Sequence, residues 1–242
     1  MFYKKGFMCA AILCSVTAAQ AQTAGSTIVS AGWLHLAPQS SSKPLQVTSP
    51  FNITKTGTGS SVSSADTLGF LVNHFFTDNI SGELVVGVPP THKLNGTGSY
   101  EKYGELGSVK QWSPAVLVKY YFGDANTRFR PYVGLGVNYT WYSDAQVNNS
   151  KFAAEQLLNG NTANTSVKAD ASWNPVFSVG ANYAISDRWY AGAFVSYLPL
   201  KTTAKITTTG ATIAPGVTTT ITSQAEIKIR PIVTSINIGY RF

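Results

Sequence analysis

The sequence predicts an all-β fold, an eight-stranded antiparallel up-and-down transmembrane β-barrel. Three observations carry that prediction. First, Ile232, Thr234, Ile236, Ile238, Tyr240 and Phe242 alternate strictly with Val233, Ser235, Asn237, Gly239 and Arg241. A strand points successive side chains to opposite sides, so this segment offers an apolar band to one environment and small or polar groups to the other. Its aromatic end is the mark of an outer-membrane strand. Second, only 12% of residues are charged, about half the share usual in soluble domains, while Tyr and Phe number twelve each. Third, no apolar run after Gln22 approaches the roughly twenty residues a membrane helix needs. Backbone groups in hydrocarbon must be paired, so a closed barrel is the architecture left.

The amino-terminal segment fits that address. Lys4 and Lys5 precede an apolar stretch from Gly6 to Val16, and Ala19-Gln20-Ala21 ends it with small residues. Residues 1–21 are therefore expected to be a signal peptide, and residues 22–242 a single outer-membrane barrel domain. Cys9 and Cys14 both fall inside the leader, and Met8 and Leu13 stand where a lipoprotein would need a small residue. Disulfide, thiolate and lipid-anchor chemistry are not expected of the mature chain. The formal charge of +7, or +5 without Lys4 and Lys5, is spread singly along the sequence. That distribution suits anionic lipid headgroups and lipopolysaccharide as partners, and argues against nucleic acid.

Alternation gives eight strands in order: Ser26–Ala37, Thr67–Phe76, Ile80–Val88, Trp112–Phe122, Pro131–Tyr142, Ser172–Ile185, Trp189–Lys201 and Ala225–Phe242. Thr77-Asp78-Asn79, Gly123 to Arg130 and Ser186-Asp187-Arg188 are short and turn-like. Pro38–Asp66, Pro89–Gln111, Ser143–Ala171 and Thr202–Gln224 are long and rich in Ser, Thr, Asn and Gly. Short turns on one side and long loops on the other are the barrel pattern, with the short side periplasmic. Lys151–Asn159 within the third long loop could form a brief helix. Aromatics collect at strand ends, Phe76, Phe122, Trp189, Tyr240 and Phe242 below and Trp112, Trp141 and Tyr197 above, as interfacial belts do.

Parity then sorts the faces. Glu83, Lys119 and Arg241 all fall inward, where they avoid the roughly 2–4 kcal/mol cost of a cation facing lipid at the midplane. Their distances from turns and terminus place them at similar depth, which predicts a charge cluster closing the periplasmic end of the lumen. Trp33, Leu71, Phe75, Leu117, Tyr121, Phe194 and Leu198 also have inward parity, with the first and seventh strands alternating less clearly. An eight-stranded barrel is nearly filled by its own side chains. Two readings of this apolar set stay open: simple core packing, or a narrow apolar path for a ligand.

Several strings resemble the outer-membrane protein W family: GYRF at Gly239–Phe242, RPYVGLGVNYT at Arg130–Thr140, YYFGDANTRFRPYVG at Tyr120–Gly134 and TDNISGEL at Thr77–Leu84. AGWLHLAP at Ala31–Pro38, SDRWY at Ser186–Tyr190 and PTHK at Pro90–Lys93 fit the same pattern. The resemblance covers nearly the whole chain after the leader. It implies an eight-stranded barrel in the outer membrane associated with passage of small hydrophobic compounds, and it favours the ligand-path reading. The Thr-rich stretch Thr202–Gln224 departs from the family pattern.

The histidines point to no metal site: His35 is expected in the lumen, His74 near the lower interface, and His92 at a loop start. No catalytic set assembles, since His92 near Glu101 and Glu105 is the one candidate and reads as solvated loop. No cofactor is expected. The expected function is a monomeric channel or receptor passing small hydrophobic molecules through an apolar lumen, delivered to the membrane by the barrel-assembly machinery through Phe242. The alternative is a filled barrel whose long loops bind host factors, phage or toxins.

Overall fold

The computed structural model describes residues 22–156, 163–211 and 218–242; the expected signal peptide, residues 1–21, lies outside them. Eight antiparallel strands close into a barrel: β1 (Thr27–Pro38), β2 (Ala65–Phe75), β3 (Ile80–Gly87), β4 (Ala115–Tyr121), β5 (Phe129–Val147), β6 (Ser172–Ala184), β7 (Trp189–Tyr197) and β8 (Pro231–Arg241). Each strand pairs with its sequence neighbours, and β8 returns to β1 with Trp33 opposite Ile236 and Ile28 opposite Arg241. Closure leaves no unpaired edge, the condition for β structure in lipid.

The outward band is apolar throughout. Leu68, Phe70 and Val72 on β2, Val116 and Val118 on β4, Val133, Leu135 and Val137 on β5, and Ile236 and Ile238 on β8 are all exposed. Inward positions are buried and mixed in chemistry: Leu71, Asn73 and Phe75 from β2, Ser81 and Glu83 from β3, Leu117, Lys119 and Tyr121 from β4. Glycine makes some of this packing feasible. A Cβ at Gly136 would stand 2.1 Å from the Val116 carbonyl oxygen across the β4–β5 ladder.

Short connections are fixed by local hydrogen bonds. The Thr77 hydroxyl accepts from the Ile80 amide at 2.9 Å, and the Asn79 side chain donates to the Tyr121 and Gly123 carbonyls at 2.8 and 3.0 Å. Gly123 takes φ +82°, a left-handed conformation open to glycine without strain. Ser186 plays the Thr77 role in the β6–β7 turn, accepting from Trp189 at 3.2 Å.

The four long connections are not irregular loops. They continue the barrel upward as two sheets. β5 runs past the barrel and pairs with Glu105–Trp112, which pairs with Thr91–Gly98 and that with Thr58–Val62. A second sheet joins Ala163–Ala169, Lys201–Ala211, Thr218–Lys228, Leu45–Ser49 and Ile53–Lys55, with Ser41–Ser42 alongside. Their Thr and Ser content reads as loop, yet β-branched Thr suits a pleated sheet. Thr202, Ala204 and Thr208 face inward while Lys201 and Lys205 face out. The predicted final strand, Ala225–Phe242, is really two strands, because Arg230 adopts φ +43° before Pro231 and separates Thr218–Lys228 from β8. Helix α1 spans Ser150–Gln156, with the Asn149 side chain accepting from the Phe152 amide at 2.9 Å; the rest of the predicted segment, residues 157–159, falls outside the described ones.

Candidate functional site

The lower third of the barrel is shut by side chains. Lys119 Nζ lies 2.5 Å from Glu83 Oε2, both groups almost wholly buried. Their strands are adjacent, with Leu117 opposite Glu83 and Lys119 opposite Ser81. The ammonium also sits 4.1 Å from the centre of the Tyr132 ring, so it meets a carboxylate and an aromatic face together. Below lie Phe75 and Tyr121, ring centres 5.0 Å apart, and Tyr121 lies 4.9 Å from Tyr132. The Tyr121 hydroxyl accepts from Asn182 at 3.2 Å, and Ser81 donates to Asn73 at 2.8 Å. A buried ion pair offsets its desolvation only when its geometry is good, and this one adds the Tyr132 ring face on the ammonium to a close contact.

Arg130 completes the floor. It is fully buried, stacks at 5.3 Å over Tyr121, and donates to the Asp78 carbonyl at 2.6 Å and the Gln22 carbonyl at 3.1 Å. Alternation starts the fifth strand at Pro131 and places Arg130 in the preceding turn, whereas the strand begins at Phe129 and turns Arg130 inward. Its parity with Tyr132 and Gly134 was the available signal.

Above the ion pair the chemistry changes. A cavity of about 90 Å³ is walled by apolar Leu34, Leu36, Leu117, Val176, Phe194 and Leu198, with Gln111, Ser113 and Asn138 at its upper side. Gly87 and Val88 also line it, and both are solvent-accessible. There the β3–β4 ladder ends at Val85 opposite Ala115, and pairing resumes where the Gln111 amide donates to the Pro90 carbonyl at 3.0 Å, with Pro89 and Pro114 between. Proline cannot donate to a ladder, so the wall is thin at this point.

Two further apolar cavities continue upward between the sheets of the extension. One of about 40 Å³ is bounded by Val62, His92, Gln111, Tyr142, Thr202 and Ile229, and one of about 70 Å³ by Leu45, Leu94, Tyr100, Leu106, Phe152 and Ile206. Gln111 borders the lower two, and Leu94, Ala204 and Ile227 border the upper two. His92 Nδ1 lies 2.8 Å from the Ser63 carbonyl, and burial pushes the imidazole below its ordinary range, with that hydrogen bond opposing.

Of the predicted lumen set, Leu71, Phe75, Leu117, Tyr121, Phe194 and Leu198 are buried inside the barrel. Of these, Leu117, Phe194 and Leu198 border the cavity directly above the ion pair, whereas Phe75 and Tyr121 pack the floor. Trp33 is a correction. It is 45% exposed on the outer wall, and its indole donates to Asp66 at 2.9 Å. β1 carries apolar residues on both faces, so Ile28, Leu34 and Leu36 take the inward register and Trp33 the outward one. His35 shares Trp33's face, 2.8 Å from Asp66, and is not lumenal. Arg241 is a second correction. It lies half-buried beside Tyr190 at the lower rim, bordering a cleft with Thr23, Ser26 and Arg188, while Lys119 is the partner of Glu83. It pairs with Ile28 at the foot of β1, a rim position, so lying one residue before the terminus does not bring it to the depth of Glu83 and Lys119, four residues from their turns. His92 and Glu105 do not come together, since Glu105 takes Lys93 at 3.0 Å and Asn148 at 2.9 Å.

Known proteins share this architecture. The chain is 33% identical over 235 residues to outer membrane protein W of Vibrio cholerae, covering 96% of each. It is 28% identical over 186 residues to a dibenzothiophene metabolism operon protein, PahQ, of Pseudomonas aeruginosa, covering 77% of this chain and 76% of the relative. The crystal structure of the outer membrane protein OprG from Pseudomonas aeruginosa superposes with a TM-score of 0.77 at 29% identity, covering 92% of this chain and 98% of that one. The molecule is thus a barrel of the bacterial outer membrane. With the OmpW family model matching residues 23–242, the chain belongs to the OmpW family.

Proposed function

We propose that this barrel admits small hydrophobic molecules from outside the cell and releases them sideways into the outer membrane. The observation that carries the reading is the apolar cavity above a salt-bridged floor, with the β3–β4 ladder interrupted beyond Val85 and Ala115 beside it. An apolar molecule gains about 25 cal/mol for each Å² removed from water, and the polar saccharide layer outside the membrane offers no such surface. The stacked cavities of the extension supply it in steps. A molecule reaching the Glu83–Lys119 pair meets a dry ionic barrier, whereas the prolines beside Gly87 leave a way into lipid. PahQ is named for a dibenzothiophene metabolism operon, and dibenzothiophene is a hydrophobic aromatic compound, which agrees with this assignment.

The test is uptake of a radiolabelled polycyclic aromatic hydrocarbon by cells with and without the protein, and with Gly87→Phe. A Cβ at Gly87 would meet Leu34, Leu68 and Thr67 at 3.5–3.7 Å, ordinary contact distances, so a side chain can begin there without a backbone clash, and heat-modifiable gel mobility checks that the variant is folded. Uptake should rise with the native protein and fall severalfold with Gly87→Phe. Equal uptake in all three strains would overturn the reading and favour a barrel that works through its extracellular surface.

A further inference from the structure

The lysines of the second extracellular sheet are arranged unlike those elsewhere in the extension. Lys93, Lys102 and Lys110 each reach a carboxylate, on Glu105, Glu155 and Asp144. On the second sheet, Lys201 stands directly opposite Lys228, and Lys168 directly opposite Lys205. Side chains so placed have Cβ atoms roughly 4.5–5.5 Å apart, and like charges in that position weaken the pairing. Lys205 takes Asp170 at 3.1 Å, and Lys43 takes Glu226 at 3.1 Å. Among the described residues, Lys168, Lys201 and Lys228 have no carboxylate within salt-bridge reach. Apart from Lys55, which lies 3.8 Å from Glu155, the five lysines Lys43, Lys168, Lys201, Lys205 and Lys228 share two carboxylates, Asp170 and Glu226. Lys201 and Lys228 act on Glu226 only from beyond contact, so positive charge is left in excess on this face.

The position of this face says what could neutralise it. Lys201 follows Tyr197, the exposed aromatic at the top of β7, by four residues, and Lys228 precedes Pro231 of β8 by three. Tyr197 pairs with exposed Ile232, so the greasy wall ends just below the first lysine pair. The second pair is four residues further along the same strand, about 13 Å higher at the strand rise. Two cationic rows directly above the outer hydrocarbon boundary match a ligand with several anionic groups at headgroup depth.

We infer that this face binds a phosphorylated glycolipid of the outer leaflet, lipopolysaccharide, whose phosphate groups lie between the opposed lysines. Each phosphate accepts from ammonium groups on two strands and converts a repulsive cross-strand pair into a bridged one. Fatty-acyl chains of the same molecule lie against the outer wall below Tyr197. The site is separate from the lumen, so it stands or falls independently of hydrophobic uptake.

The experiment uses the full chain in nanodiscs, with bis-phosphorylated lipid A as probe and lipid A stripped of its phosphates as comparison. Bound lipid is counted by native mass spectrometry. The native protein should retain the phosphorylated lipid and release the stripped one. Combined Lys168→Gln, Lys201→Gln and Lys228→Gln should weaken retention at least about tenfold, since each basic residue near an anionic surface contributes several-fold. Combined Lys93→Gln and Lys102→Gln, which removes cations from the paired side, should change it less than about twofold. Native protein should also lose lipid A as salt is raised, which needs no variant to fold. Equal retention of stripped lipid, an unchanged triple variant, an equal loss in the control variant, or salt-independent binding would each overturn the assignment.

Discussion

At the residue scale, the Glu83–Lys119 pair decides what the lower lumen can do. With Lys119 about 2% exposed and its partner about 6%, removing either strands a charge in a dry site. Lys119→Met should cost about 3–5 kcal/mol, read as a lower urea midpoint for unfolding from lipid vesicles. The double variant Glu83→Gln/Lys119→Met removes both charges and should recover most of that stability. Planar-bilayer conductance of Glu83→Ala/Lys119→Ala, which takes away bulk as well as charge, should exceed that of the native barrel. Unchanged conductance would show that the ring stack of Phe75, Tyr121 and Tyr132 seals the bore without the ions. The pair was legible in the sequence, because two charges in otherwise apolar alternation could only point inward. Arg130 was less legible. Its role depends on the carbonyls of Gln22 and Asp78, one 108 residues distant in sequence, and no local pattern announces such a meeting.

At the scale of strands, parity was the readable quantity and strand ends were not. β4 illustrates both faces within two residues, since Val118 is 59% exposed to lipid while Lys119 is buried. Val118→Lys should therefore destabilise the barrel by about 2–4 kcal/mol in vesicle-based urea titration; a loss below about 1 kcal/mol would mean that the strand is not centred in the hydrocarbon. Where both faces are apolar, as in β1, alternation carries no information, and Trp33 was misplaced for that reason. The extension was missed because Thr, Ser and Gly are shared by loops and exposed sheets. What distinguishes them is pairing across long sequence separations, such as Gln224 opposite Gln46, which a linear pattern does not record.

At the scale of the molecule, the barrel and its extension differ in what holds them. The barrel is a closed ladder in lipid, whereas the extension packs small apolar clusters around buried polar groups, His92 among them. The His92 imidazole is held below its ordinary 6.5, chiefly by burial. As pH falls through about 6.5, the unfolded segment takes up a proton that the folded site resists, so folded stability is full above that value and declines below it. Amide exchange in Thr91–Gly98, corrected for intrinsic rates, should quicken on going from about pH 7.5 to about pH 5.5. The β2 and β3 amides should not change, and His92→Gln should flatten the response. Equal protection at both pH values would exclude the histidine as the weak point.

The stoppered base has a bearing on the cell as well as on the cargo. Among the described residues, Arg130, Tyr121 and the Glu83–Lys119 pair fill the foot of the bore. On the proposed function, raising the number of copies should therefore not make the envelope leakier to ions, dyes or antibiotics, as dye-entry assays on overexpressing cells would read. A bacterium could crowd its surface with this protein and keep its permeability barrier intact.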